Sequence, residues 1–219
     1  MNPDLNRKLY HALSNAQDST EISIQAHAHL PSGYRLVCVT DRPGSPFKST
    51  LEIGLLHDSS GRIVYYQPVW ITSHNAPDRC AAHSVMWRSA DYQHKTALRH
   101  LALTVQFNYL LAQYDLILSD GNLHAGGPFF WEAQISAALA KGLFIYVRDA
   151  QAMEPLHIPD MAGFDALKNR VWGASGELGN QVALIRREPL QVGMEFSFPL
   201  ALISHYNSLD PSKLPLMTD

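Results

Sequence analysis

The run Ser119-Asp120-Gly121-Asn122-Leu123-His124 sets a hydroxyl, a carboxyl, an amide and an imidazole close together, just ahead of Gly126-Gly127-Pro128. Such groups can orient a bound molecule or move its protons, and paired glycines let a ligand come close to the backbone. The run follows the apolar segment Tyr114–Leu118 and precedes a helical pattern, and open α/β sheets bind ligands at such strand ends. The same residues also make good connecting chemistry, because Asp-Gly-Asn forms turns and Gly-Gly-Pro starts helices. Both readings stay open. Asp115 and Asp120 bracket the apolar segment on opposite faces, about 17 Å apart, which is too far for a carboxylate pair. Asp120 and His124 would need a metal or a nucleophile to hydrolyse anything, and the sequence supplies no identifiable one.

Eleven histidines widen the search. His27 and His29 alternate along a run read as a strand, but no third ligand lies nearby, so no metal site is expected. His57, His74 and His83 are scattered among turns and strands, where ordinary hydrogen bonding is the default role. His83 lies on an inferred central strand and is the candidate general base. Of the two cysteines, Cys38 sits in the apolar run Tyr34–Thr40 and reads as a buried thiol. Two cysteines do not make a disulfide framework, and a reduced cytoplasmic setting is expected. Phe129, Phe130 and the tryptophans read as core or interface. Arg186-Arg187 reads as a solvated strand edge. A Gly-x-Ser-x-Gly elbow, a Walker A loop and a strand-linked Gly-x-Gly-x-x-Gly are all absent from the sequence.

The 219 residues are 46% hydrophobic and 17% charged, which favours a packed globular core over disorder. A formal charge of -3 and a pI of about 6.4 give no global attraction to nucleic acid or anionic lipid. No apolar run reaches bilayer length, and the first residues have no secretory core, so a membrane is not an expected partner.

The elements that must hold these residues can be read from periodicity. Asn2 caps a first helix with Pro3 in its first turn and Leu5, Leu9 and Leu13 at helical spacing. The alternation of Ile22, Ile24, Ala26 and Ala28 predicts a strand. Tyr34–Thr40 predicts another, ending near Asp41-Arg42-Pro43-Gly44. Two β-rich runs flank Asp58-Ser59-Ser60-Gly61 and predict a hairpin. Ala81–Ala90 predicts a further strand. Leu98, Leu101, Ala102, Val105 and Tyr109 predict one helix capped by Asp91. A strand at Tyr114–Asp120, a helix from Pro128 to Gly142 and a strand at Leu143–Asp149 follow. Residues 150–179 read as an irregular insertion, 181–188 and 194–203 as strands, and 210–219 as a flexible tail. The expectation is one α/β domain over residues 1–219, with a mixed, mostly antiparallel sheet containing a parallel pair and flanked by helices.

Gly54–Ile71 as a hairpin, His83–Ala112 as central strand and helix, and Tyr114–Val147 as a closing strand–helix–strand unit together resemble the GNAT acyltransferase fold. The resemblance covers roughly residues 34–188 and rests mostly on element order. It implies transfer of an acyl group from acetyl-CoA or another acyl-CoA to a small-molecule or protein amine, with the cofactor lying where two parallel strands splay apart. The family's Arg/Gln-x-x-Gly-x-Gly/Ala motif grips pyrophosphate with helix-terminal N–H groups. It corresponds here to Gln93, His94, Lys95, Thr96 and Arg99, with Thr96 where the family has its first glycine and Leu98 where it has its last small residue. His83 or Glu52 would then be the base, and Ser119 or Asn122 would orient the pantetheine or the thiolate. Trp131 stands near the family's thiolate-protonating Tyr, and an indole N–H cannot do that work. The alternative is the same scaffold without catalysis, acting as a protein-binding module; a homodimer is open under either reading.

Overall fold

The chain enters through α1 (Pro3–Ser14), whose start follows the expected chemistry: the Asn2 side chain accepts the Asp4 N–H at 2.9 Å and Pro3 occupies the first turn. Leu5, Leu9 and Leu13 are buried on its inner face. The computed structural model describes residues 1–45, 49–73, 79–119, 127–148, 155–172 and 182–190. Over these residues the protein is mixed α/β, with ten mostly antiparallel strands and one parallel pair. They form two compact units, one from residues 1–71 and 84–109, the other from residues 72–83 and the described part of 110–208.

In the first unit β1 (Thr20–Glu21), β2 (Tyr34–Thr40), β3 (Leu51–His57) and β4 (Arg62–Ser73) pair antiparallel in sequence order, and β6 (Trp87–Arg88) adds to β4. The hairpin turn lies at Asp58–Gly61 as expected, with Gly61 at φ 59°. Where α1 crosses β3, a Cβ at Gly54 would lie 2.7 Å from Leu13 Cδ1, so a larger residue here would make the Leu13 side chain shift. The predicted strand after Thr20 is only the two-residue β1. The chain then coils, with the Ala26 N–H bonded to the Ile22 carbonyl at 2.9 Å. Ile22 and Ala26 are buried while Ile24 is 87% exposed. The spacing of four beat the alternation of two, and His27 and His29 lie exposed outside any strand.

The helix expected from Asp91 to Tyr114 is also broken. Asp91 does cap, accepting the Gln93 N–H at 3.1 Å. A 3₁₀ turn (Tyr92–His94) leads to α2 (Lys95–Leu98), and the path then kinks through an extended Arg99 and a left-handed His100 at φ 57°. The helix restarts as α3 (Leu101–Thr104), widens to π geometry over Val105–Leu110 and closes as α4 (Leu111–Gln113). Ala97 and Leu101 are buried on either side of the kink, and the π turn continues the inner face with Val105, Phe107, Leu110 and Leu111.

In the second unit β5 (Cys80–Ser84) runs parallel to β7 (Asp115–Ser119), and β10 (Val182–Arg186) lies antiparallel between β7 and β8 (Phe144–Arg148). β9 (Leu156–Ile158) pairs with β8. Ala81, Ile117, Tyr146, Val182 and Leu184 form its core cluster. α5 (Gly127–Ala140) ends where expected: Gly142 takes φ 69°, its N–H bonds the Leu139 carbonyl, and the Leu143 N–H bonds the Ala138 carbonyl. Residues 150–179, read as irregular, contain β9 and α6 (Met161–Trp172). The expected strand at 194–203 and the tail at 210–219 lie outside the described residues.

Asn6 joins α1 to the hairpin: its amide donates to the Ile63 carbonyl at 2.8 Å and accepts the Ile63 N–H at 2.9 Å, all buried. Asn6→Ala leaves both backbone groups unpaired. It should lower unfolding free energy by about 2–3 kcal/mol, seen as a lower urea midpoint at unchanged slope.

Candidate functional site

After β6 the chain passes through Ser89-Ala90-Asp91 into the 3₁₀ turn and α2, and this path encloses a groove of about 530 Å³. Arg88, Lys95, Arg99 and His100 line it together with Tyr92, Leu98 and the acid Asp91. Among the described residues none of Arg88, Lys95 and Arg99 forms an ion pair. Lys95 Nζ lies 5.1 Å from the centre of the Tyr92 ring, which is itself 79% exposed. Three uncompensated cations beside an exposed aromatic ring suit a ligand carrying phosphate and a flat base.

Of the residues expected at a cofactor, Lys95 and Arg99 line the groove. Gln93 and Thr96 are exposed outside its lining; the Gln93 amide donates to Asp91 Oδ2 at 2.8 Å. His94 turns inward and is 4% exposed. Its Nδ1 lies 2.9 Å from the Tyr34 hydroxyl, and its Nε2 lies 3.2 Å from the Gln93 amide nitrogen. His57 stacks on Tyr34 at 4.5 Å and meets the His94 ring edge-on at 5.2 Å. Burial, then the nearby His57, then Arg62 hold the His94 pKa below the ordinary histidine range, with Asp91 opposing. Sequence reasoning missed Arg88, Tyr92 and His100 as groove residues. The close run of Arg88, Lys95 and Arg99 was the available signal. Tyr34 and His57 carry no such signal, because only pairing of β2 with β3 brings them together.

The candidate bases are internal. Glu52 on β3 is 1% exposed. It accepts from Arg42 Nε at 2.5 Å and Nη2 at 3.1 Å, from Ser45 Oγ at 3.0 Å, and from the Tyr66 hydroxyl. Its carboxylate pushes the Tyr66 pKa further up, after burial, and helps raise that of Arg42. His83 on β5 is 1% exposed, and burial lowers its pKa to about 4. Ser119 ends β7, and Asn122, Asp120 and His124 lie outside the described residues. Asp115, at the other end of β7, is fully buried and pairs with Arg186 at 2.8 Å and Arg79 at 3.4 Å. Arg186 is therefore not a solvated edge residue: a buried carboxylate draws it inward, and it is 2% exposed. Cys38 is buried as expected. Among the described residues no group of three or more His, Cys, Asp or Glu could hold a metal ion, and no helix is long and apolar enough to cross a membrane.

Glu52→Gln leaves the Arg42 guanidinium, whose side chain is 8% exposed, without its counter-charge. Unfolding free energy should fall by about 3–5 kcal/mol in a guanidinium titration. His83 gives a pH signature: the unfolded chain binds its proton near pH 6.5, and the native state only near pH 4. Stability should therefore fall as pH drops through that window, by roughly 3 kcal/mol, and level off below it. His83→Gln should flatten this part of a stability–pH curve.

No family model matches the chain, and no curated protein or solved structure matches it significantly.

Proposed function

We propose that this chain is a GNAT-like protein that holds an acyl-CoA and passes its acyl group to an amine. One observation carries the reading: the cationic groove lies in the stretch that joins the strand Trp87–Arg88 to α2, where the resemblance puts the pyrophosphate. Two further observations support it. The element order follows the expected hairpin, strand, helical segments, strand, helix and closing strands. The parallel register of β5 with β7 runs only from Ala81↔Asp115 to His83↔Ile117, while β7 continues to Ser119.

The residues fit the diphosphate in charge and differ from the family in backbone. With Thr96 and Leu98 in place of small residues, close approach to bare N–H groups is hindered, so Arg88, Lys95 and Arg99 would supply the grip through their side chains. Acetyl-CoA would supply the thioester. The amine nitrogen would bond to its acyl carbon, the C–S bond would break, the amine would lose a proton and the thiolate would regain one. A second reading, binding without transfer, is favoured by one feature: the Glu52 carboxylate is already engaged by Arg42, Ser45 and Tyr66.

Titration calorimetry with acetyl-CoA at low salt should give saturable binding, weakened about tenfold or more by the double variant Lys95→Glu/Arg99→Glu, in line with the strength of charge-assisted hydrogen bonds. Absence of heat and of any melting shift in the wild-type protein would sink both readings. Binding without release of CoA thiol across a panel of amines would select the second.

A further inference from the structure

Two residues of the segment that carries the groove are buried, Ala97 and His94, and His94 is the one that can take a proton. His94 lies between Tyr92 and Lys95 in sequence and beside three other elements in space: β2 through Tyr34, the end of β3 through His57 and the start of β4 through Arg62. The contacts fix its tautomer. The Gln93 amide nitrogen donates to Asp91 Oδ2, and its second hydrogen faces His94 Nε2 at 3.2 Å. Nε2 must then accept, which leaves the proton on Nδ1, donated to the Tyr34 oxygen at 2.9 Å. The neutral ring is thus used at both nitrogens. A second proton can enter only at Nε2, where it meets the Gln93 N–H head-on.

We propose that His94 is a pH-sensitive latch under the groove: the neutral ring holds the segment from Asp91 to Lys95 in place, and protonation releases it. The charged ring would break with Gln93 and also repel its surroundings. His57 faces it at 5.2 Å, Arg62 adds positive charge, and only Asp91 opposes them, while the Tyr34 hydroxyl stays neutral at these pH values. Release moves Tyr92 and Lys95, two of the groove's lining residues. The sign is distinctive. Arginine and lysine keep their charge across this range, so a rigid groove would hold an anion about equally from pH 8 to pH 5, whereas the latch makes it bind more weakly as pH falls.

The primary test does not use a ligand. Hydrogen exchange of the amides of residues 91–99, corrected for intrinsic rates, is followed from pH 8 to pH 5 in the full chain. Protection should fall at least tenfold toward pH 5 in the wild type and change less than twofold in His94→Gln, whose side chain stays neutral. Equal profiles in the two proteins overturn the latch. If His94→Gln does not fold, the wild-type His94 ring signal in NMR must titrate together with the loss of protection, and a mismatch overturns the proposal equally. The second readout rests on the acyl-CoA reading: acetyl-CoA affinity should drop severalfold from pH 7.5 to pH 5.5 in the wild type and not in His94→Gln. A pH-gated exchange pattern with no acetyl-CoA binding at any pH supports the latch and rejects the acyl-CoA site. Acetyl-CoA binding with an unchanged exchange pattern does the reverse.

Discussion

Each carboxyl group buried among the described residues has arginine beside it, and that pairing decides where positive charge is left over. In the first unit Glu52 takes Arg42. In the second, Asp115 takes Arg186 and Arg79. At the surface of the first unit Asp58 takes Arg35. Desolvating a carboxylate costs several kcal/mol unless it is matched, so the two acids buried among the described residues hold their arginines close. Arg88, Lys95 and Arg99 lie on a short path whose acid, Asp91, is occupied in capping the 3₁₀ turn and holding Gln93. Positive charge remains available where the chain bends sharply and its side chains stay exposed.

The same constraint separates structural acids from chemical ones. A carboxylate with an arginine, a serine and a tyrosine already on its oxygens, as Glu52 has, is committed to internal partners and is not presented to a substrate. His83 fails in another way. Burial keeps it neutral, as a base requires, but its proton affinity is low and its ring is sealed from solvent. His94 differs from both: it is buried, and its chain neighbours Tyr92 and Lys95 line a surface groove.

Local chemistry was legible in the sequence and distant pairing was not. The Asn2 cap, the Asp58–Gly61 turn and the Gly142 stop are each written within a few residues, and each element ended where it was read. Ile22 and Ala26 fit two periods at once, and only packing chose the turn over the strand. Arg186 looked like an edge residue because its partner Asp115 is far away in sequence. The kink at Arg99–His100 was not legible, because Leu98, Leu101, Ala102 and Val105 fit one unbroken helical period and no Gly or Pro marks the left-handed residue, which costs about 1–2 kcal/mol. For the site, Lys95 and Arg99 were visible as nearby cations. That His94 would face inward was not, since Tyr34 and His57 reach it only through strand pairing.

A site that grips phosphate through side chains differs in kind from one that grips through backbone N–H groups. Backbone donors on a glycine-rich turn are fixed in place and do not titrate, so their hold depends little on salt or pH. Arginine and lysine side chains at the surface are screened by salt and must be ordered on binding, so their hold depends on both the solvent and the rigidity of the path beneath them. Here that path is two turns of helix separated by a left-handed residue, too short to be stable alone. Its rigidity must come from what it packs against: the buried His94 with its contact to Tyr34, and the buried Ala97 and Leu101. Under the proposed acyl-CoA reading, a groove that grips with side-chain charge would take its affinity in part from the protonation of His94, which a backbone-lined site would not.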